Sequence, residues 1–173
     1  QPFCIAAVDI DHFKNVNDTY GHDTGDQVLR MVAAKLGAVS GGGKAFRIGG
    51  EEFAILFRGK RAKEIMPDLE TLRSTIEASS FRLRGGERRT EARGSERRKT
   101  APRKRNPVRK AAPSKALNGE LSVTVSMGVA EATPRQGDVD AVIQAADKAL
   151  YRAKEGGRNR IETGVVRPAA HTA

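Results

Sequence analysis

Residues 46–57 read FRIGGEEFAILF, and no other stretch constrains the fold as much. Phe53-Ala54-Ile55-Leu56-Phe57 is a short apolar run of strand-compatible residues, the composition of a central strand. Phe46-Arg47-Ile48 supplies its partner, and Gly49-Gly50 is a two-residue hairpin signal because primed turns need positive φ. A strand pair is therefore expected in the middle of the chain. Glu51 and Glu52 follow the glycines directly. By themselves they read equally well as solvated turn residues or as carboxylates brought to a site, and the rest of the chain has to decide.

Around the hairpin the pattern alternates between strand and helix. Phe3–Val8 is an apolar run of strand length that ends in DIDHFKNVND. A short helix is expected at about 10–19, broken by Gly21. A second follows GHDTGD, with Val28, Leu29, Val32, Ala33 and Leu36 on one face, and Gly37 with the glycines at 41–43 ends it. Ile65, Met66, Leu69, Leu72 and Ile76 mark a third helix, with Pro67 in its first turn or kinking it. Phe81-Arg82-Leu83 starts a strand, and Leu121–Ser126 alternates as another. A final helix carries Val142, Ile143, Ala146, Ala149 and Leu150 on one face, and Gly156-Gly157 stops it. This order predicts an α/β (α+β) domain in which a sheet is layered with helices.

Charge is unevenly spread. The 173 residues carry a net charge of +10, but residues 82–116 hold 14 Lys/Arg against 3 Asp/Glu, which leaves 17 basic and 18 acidic residues elsewhere. The basicity belongs to one segment, rich in Gly, Pro, Ser and Arg and without aliphatic periodicity. Such a segment buries too little apolar surface to offset its ordering entropy, so an insertion at about 84–117 is expected to be disordered. Two readings of it stand: a solvated loop between two strands, or an electrostatic contact with nucleic acid, anionic lipid or an acidic partner. It has no aromatic interleaving and no base-reading motif. The single cysteine, Cys4, rules out an internal disulfide framework and reads as a small core residue. No stretch approaches the roughly 20 apolar residues of a membrane span, and no secretory signal is visible. A cytoplasmic domain is the expectation, which leaves open a membrane-anchored parent protein. Gln1 is not a start methionine and a strand begins almost at once, the pattern of a piece of a longer protein.

The chemistry starts at VDID. Alternation puts Asp9 and Asp11 on the same side of an extended chain, at a strand end beside a helix start. Carboxylates there, with a backbone carbonyl between them, suit a hard divalent cation. Asp11 alone reads equally as the cap of the next helix. If the hairpin pairs beside Phe3–Val8, Glu51 meets Asp9, and two converging carboxylates repel unless a cation sits between them.

DIDHFKNVNDTYGHDTGDQVL, RIGGEEF, VTVSMGVA and ADKALYRAKEGGRN, in that order, resemble the GGDEF family of diguanylate cyclases, in its GGEEF variant. The resemblance covers about residues 3–81 and 117–162, so residues 1–162 are expected to form the catalytic domain and 163–173 a C-terminal tail. It implies a fold like the palm of nucleotidyl cyclases and polymerases, a central mostly antiparallel sheet flanked by helices. It also implies an activity that joins two GTP into cyclic di-GMP with release of two pyrophosphates. By position it makes Asp9, the Ile10 carbonyl and Glu51 the ligands of Mg²⁺ (or Mn²⁺). Glu51 would help deprotonate the attacking 3′-hydroxyl, with Glu52 contributing. Asn17 and Asp26 would recognise guanine. The backbone amides of His12, Phe13 and Lys14 would hold the terminal phosphates, and Lys154 and Arg158 would add charge. Neither His12 nor His22 is given a catalytic or metal-binding side chain. The partners implied are GTP and a second copy in an antiparallel homodimer, driven by a sensory or receiver region that is not in this sequence.

Three features depart from the family pattern. The RxxD product-inhibition site is replaced by Ser40-Gly41-Gly42-Gly43, so no inhibitory site is expected there. The usual N-terminal helix and LTGLxNR-like stretch do not precede Gln1. The basic insertion is not a family feature. Two other functions compete with the cyclase: a non-catalytic GTP-binding regulatory module, against which Asp9, Glu51, Glu52, Asn17 and Asp26 all speak, and nucleic-acid binding through the insertion.

Overall fold

The computed structural model describes residues 1–83, 119–132 and 138–166. Its centre is β1 (Phe3–Ile10), which pairs antiparallel with β3 (Glu52–Arg58) on one side and with β6 (Val125–Ala132) on the other. The edge strands are β2 (Lys44–Gly49), antiparallel to β3, and β7 (Ile161–Gly164), parallel to β6, so the sheet order is β2-β3-β1-β6-β7. Four helices accompany it: α1 (Phe13–Tyr20), α2 (His22–Gly37), α3 (Ala62–Glu77) and α4 (Val139–Glu155). A separate two-stranded ribbon joins β4 (Ser80–Arg82) to β5 (Glu120–Ser122). The expected helix-flanked, mostly antiparallel sheet is therefore present.

Strand alternation divides the core. Cys4, Ala6, Val8 and Ile10 of β1 face α1, α2 and α3 and pack with Val16, Val28, Leu36, Ile65, Leu69 and Ile76. The opposite face meets α4 through Ala7, Ala130 and Ala132 against Val142, Ala145 and Ala146. These small side chains let α4 lie close to the sheet. A Cβ on Gly128 would collide with the backbone of Ala146 and Leu150, so β6 needs glycine there. Beside α4 the same face stays open over β2 and β3, leaving a groove of about 840 Å³ among Phe3, Phe46, Ile48, Leu56, Ile143 and Tyr151.

Several local expectations need correction. The hairpin turn residues are Gly50 and Glu51 rather than Gly49-Gly50, because Gly49 still pairs with Glu52 and an extra residue, Ile48, is inserted opposite the Phe53–Glu52 step. The GHDTGD stretch lies inside α2, where it begins the helix. Ala33 is exposed, and Ile143 is 41% exposed because it borders the open groove. Pro67 sits inside α3 beyond its first turn. Leu121–Ser126 is not one strand: it breaks at Val123-Thr124, and its halves serve different sheets. Strand β7 was not anticipated; it runs to Gly164, past the boundary at 162, and Val166 beyond it is buried. The basic insertion at about 84–117 lies outside the described residues. Its flanks meet, since the Leu83 N–H donates to the Gly119 carbonyl at 2.8 Å.

Candidate active site

The β1–α1 junction brings the carboxylates together. Asp9 is the last polar position before the strand ends, 3% exposed, and in register with Glu52 on β3 and Ser126 on β6. Its carboxylate is 2.9 Å from Lys154 Nζ near the end of α4. The hairpin tip approaches the same strand end, where the Ile10 N–H donates to the Glu51 carbonyl at 3.4 Å. Arg47 fixes that tip by donating to the Gly50 carbonyl through Nε at 3.1 Å and Nη2 at 2.7 Å.

Electrostatics report the same convergence. Burial pushes the Asp9 carboxyl above its ordinary range; the Lys154 hydrogen bond and charge oppose this, and Glu52 and Asp11 add to it. Glu51 is also raised, first by burial and then by the charge of Asp9. Neighbouring acids that are raised by burial and by one another's company, with Lys154 opposing both shifts, form a site that favours added positive charge: Glu52 and Asp11 act on Asp9, and Asp9 and Glu52 act on Glu51. Among the described residues no three His, Cys, Asp or Glu side chains form a ready-made metal cage. A divalent cation beside Asp9 and Glu51 would therefore need further oxygens from elsewhere, such as substrate phosphates.

A second pole lies at α1 and α2. The Asn17 side chain rests on Gly25, one residue before Asp26, and a Cβ on Gly25 would strike Asn17 Oδ1. Asp26 lines a cavity of about 300 Å³ with Leu29, Arg30, Ala33, Arg47 and Phe53, so the cavity reaches the hairpin that carries Glu51. Between the poles stands the start of α1. His12 is its N-cap in left-handed conformation (φ 56°), without a side-chain cap, while Phe13 is buried and Lys14 exposed. Asp11 is therefore not a helix cap; its carboxylate accepts from Thr124 Oγ1, Ser126 Oγ and the Asn159 N–H. Arg158 is exposed in the turn after α4.

The structure thus gathers Asp9, Ile10, Glu51, Glu52 and Lys154 at one strand end and places Asn17 beside Gly25, the residue before Asp26. Three residues escaped the sequence reading. Gly25 is a lone glycine within a helical pattern, which was a visible signal. Asp147 on α4, raised by burial and by Glu52, lines the open groove with Glu52 and Lys154. Asn159 gave no signal short of the fold.

The model of the family described as "Diguanylate cyclase, GGDEF domain" matches residues 1–95 and 90–160. Over 163 residues, 93% of this chain, the sequence is 36% identical to Diguanylate cyclase DosC of Escherichia coli K12 and spans 28% of that protein. It is 31% identical over 162 residues to Diguanylate cyclase A of Treponema denticola, spanning 35% of it. The fold superposes on the GGDEF domain of DgcB from Caulobacter crescentus, solved in complex with c-di-GMP, with a TM-score of 0.71 and 34% identity, covering 94% of this chain and 76% of that one. The active GGEEF domain of a diguanylate cyclase from Vibrio cholerae gives a TM-score of 0.68 at 25% identity, covering 98% and 85%.

Proposed function

The chain belongs to the GGDEF domain family of diguanylate cyclases, and from that premise we propose that it condenses two GTP into cyclic di-GMP and two pyrophosphates. The observation that carries this reading is the meeting of Asp9 and Glu51 at the end of β1, with Lys154 as the balancing cation. The Asp9 carboxylate, the Ile10 carbonyl and the Glu51 carboxylate would hold Mg²⁺ or Mn²⁺, which when bound would supply charge neutralisation to the phosphate oxygens.

The chain's own groups do the rest. The Asp26 carboxylate accepts from guanine N1–H and the 2-amino group, with the Asn17 amide beside it, an arrangement that adenine cannot match. First-turn amides at His12, Phe13 and Lys14 receive the terminal phosphates, as helix N-termini do for anions. Lys154 exchanges its bond to Asp9 for the triphosphate, and Arg158 adds a second cation. Glu51, deprotonated, takes the proton as the 3′-oxygen bonds to the α-phosphorus of the other GTP; Glu52 assists. The bond from that phosphorus to its bridging oxygen breaks, and pyrophosphate leaves.

One such site holds one GTP, so the ring closes between two copies arranged antiparallel. Ser40–Gly43 offers no charged side chain for product feedback. Among the described residues no helix is long and apolar enough to cross a membrane. We assign the domain to the cytoplasm, where GTP is available. The test is mass spectrometry of products after incubation of concentrated protein with GTP and Mg²⁺, beside Glu51→Ala. Cyclic di-GMP from the unaltered protein alone is the expected result. GTP binding without product would assign a non-catalytic nucleotide-binding module instead.

A further inference from the structure

Among the described residues three non-glycine positions adopt positive φ: His12 (56°), Arg158 (64°) and Asn159 (48°). Left-handed backbone is disfavoured for L-residues and persists where surrounding bonds fix it. One carboxylate links them: Asp11 precedes His12 and accepts from the N–H of Asn159, which follows Arg158. Asp11 is 4% exposed. It accepts hydrogen bonds from Thr124 Oγ1 at 2.7 Å, Ser126 Oγ at 2.7 Å and the Asn159 N–H at 3.0 Å. Its own N–H donates to the Thr124 carbonyl at 2.9 Å.

Asn159 is tied on its other side too. Its Oδ1 accepts from Arg73 Nη1 at 2.6 Å and its Nδ2 donates to Glu77 at 2.8 Å, both on α3. Arg158 therefore stands between two anchors to the end of β1: Lys154 on Asp9, and Asn159 on Asp11. Neutral partners could satisfy the two hydroxyls without a buried charge. What the carboxylate adds is a strong acceptor joining the turn before α1 to the turn after α4.

We propose that Asp11 is a positioning residue, which holds the Arg158 turn and the His12 turn in register so that both face one triphosphate. This rests on the nucleotide reading above. It predicts that Asp11 matters for the phosphates and not for the base, although it touches neither.

The test compares equilibrium binding of Mg²⁺–GTP and of guanosine to the unaltered chain, Asp11→Ala, Asp11→Asn, Arg158→Ala and the Asp11→Ala/Arg158→Ala pair. Asp11→Ala should weaken GTP about tenfold while guanosine stays within about twofold. Asp11→Asn keeps a carbonyl oxygen for the Asn159 N–H and should restore most of the GTP affinity. The double variant should bind GTP less tightly than Arg158→Ala alone, through the His12 turn, but by clearly less than the product of the two single losses. Equal weakening of both ligands, or additive losses in the pair, would overturn the proposal and leave Asp11 a core residue. Should Asp11→Ala lack a cooperative melt, Asp11→Ser takes its place with the same expectations, since its short hydroxyl leaves a polar oxygen near Thr124 and Ser126 but cannot bridge to the Asn159 N–H as well. If the unaltered chain binds GTP no more tightly than guanosine, the triphosphate reading fails and the proposal with it. GTP binding without cyclic di-GMP formation counts against the cyclase reading alone, and the binding comparison still decides the role of Asp11.

Discussion

Glu51 shows at the scale of one residue why an active site opposes stability. Its carboxyl is raised above the ordinary range by burial and by Asp9, so the folded chain holds that proton over a pH window in which the unfolded chain has released it. Stability then falls as pH rises through this window and stays lower above it. Glu51→Gln removes the penalty. At pH 7 it should melt slightly higher, by about 1–2 °C, because water screens much of the charge on a group this open, and the gain should vanish well below about pH 4, where glutamate is protonated in both states. Cyclase activity should drop by about 10²–10⁴-fold with loss of the proton acceptor. Melts at both pH values check the first part; an equal gain at each would show that charge is not the cause. Gly25 poses a different conflict. Alanine is favoured over glycine in a helix by about 0.8–1 kcal/mol, yet its Cβ would strike Asn17 Oδ1. Gly25→Ala should therefore leave the melting temperature unchanged or higher while weakening GTP binding about tenfold; unaltered affinity would remove Asn17 from the guanine site. Asp9 and Glu51 were legible in sequence because acids directly against apolar strand residues need a reason to be there. Asp11 and Asn159 are joined by a contact between distant segments, which spacing does not encode.

Elements were legible where one face is apolar throughout. The β2–β3 hairpin announced itself by its apolar runs and glycines, and α2, α3 and α4 by periodicity, whereas the pairing of the hairpin with β1 had no signal of its own in the sequence. What sequence hid was decided by backbone. The Ile48 bulge moves Glu51 into the turn itself, a one-residue shift that glycine counting cannot detect. Strand β7 is short and only partly apolar, and it exists because β6 offers an edge. The closeness of α4 to that edge rests on Gly128, whose missing Cβ makes room for the Ala146 carbonyl and the Leu150 N–H. Gly128→Ala should destabilise the domain by about 1–3 kcal/mol, the usual range for overpacking, read as a lower denaturant midpoint with unchanged slope. The opposite tolerance is expected at the β4–β5 ribbon. Leu83 and Gly119 are hydrogen-bonded across it, so replacing residues 84–118 by a short glycine-containing turn should preserve folding and GTP turnover. Loss of both would show that the segment belongs to the domain.

At the scale of the whole molecule, the proposed reading gives the described residues of one chain one acidic strand end, one base-reading pair in Asn17 and Asp26, and one set of phosphate-facing groups. Cyclic di-GMP needs two identical phosphodiester bonds, each made by the 3′-oxygen of one nucleotide on the α-phosphorus of the other. On the proposed reading a single site holds one nucleotide in position and cannot supply its counterpart, so the proposed reacting species is a pair of loaded chains. Below the dissociation constant of that pair, its population grows as the square of protein concentration by mass action. The initial rate plotted against protein on logarithmic axes should rise with a slope of about 2 and bend to about 1 as pairing saturates. Glu51→Gln protein, which keeps its fold, supplies an internal check. Added in about fivefold excess, it should draw active chains into mixed pairs that lack one proton acceptor and so depress the rate. A slope of 1 throughout, with no effect of the added variant, would mean that one chain closes the ring by itself. The antiparallel pair would then have to be abandoned even if Asp9 and Glu51 proved essential.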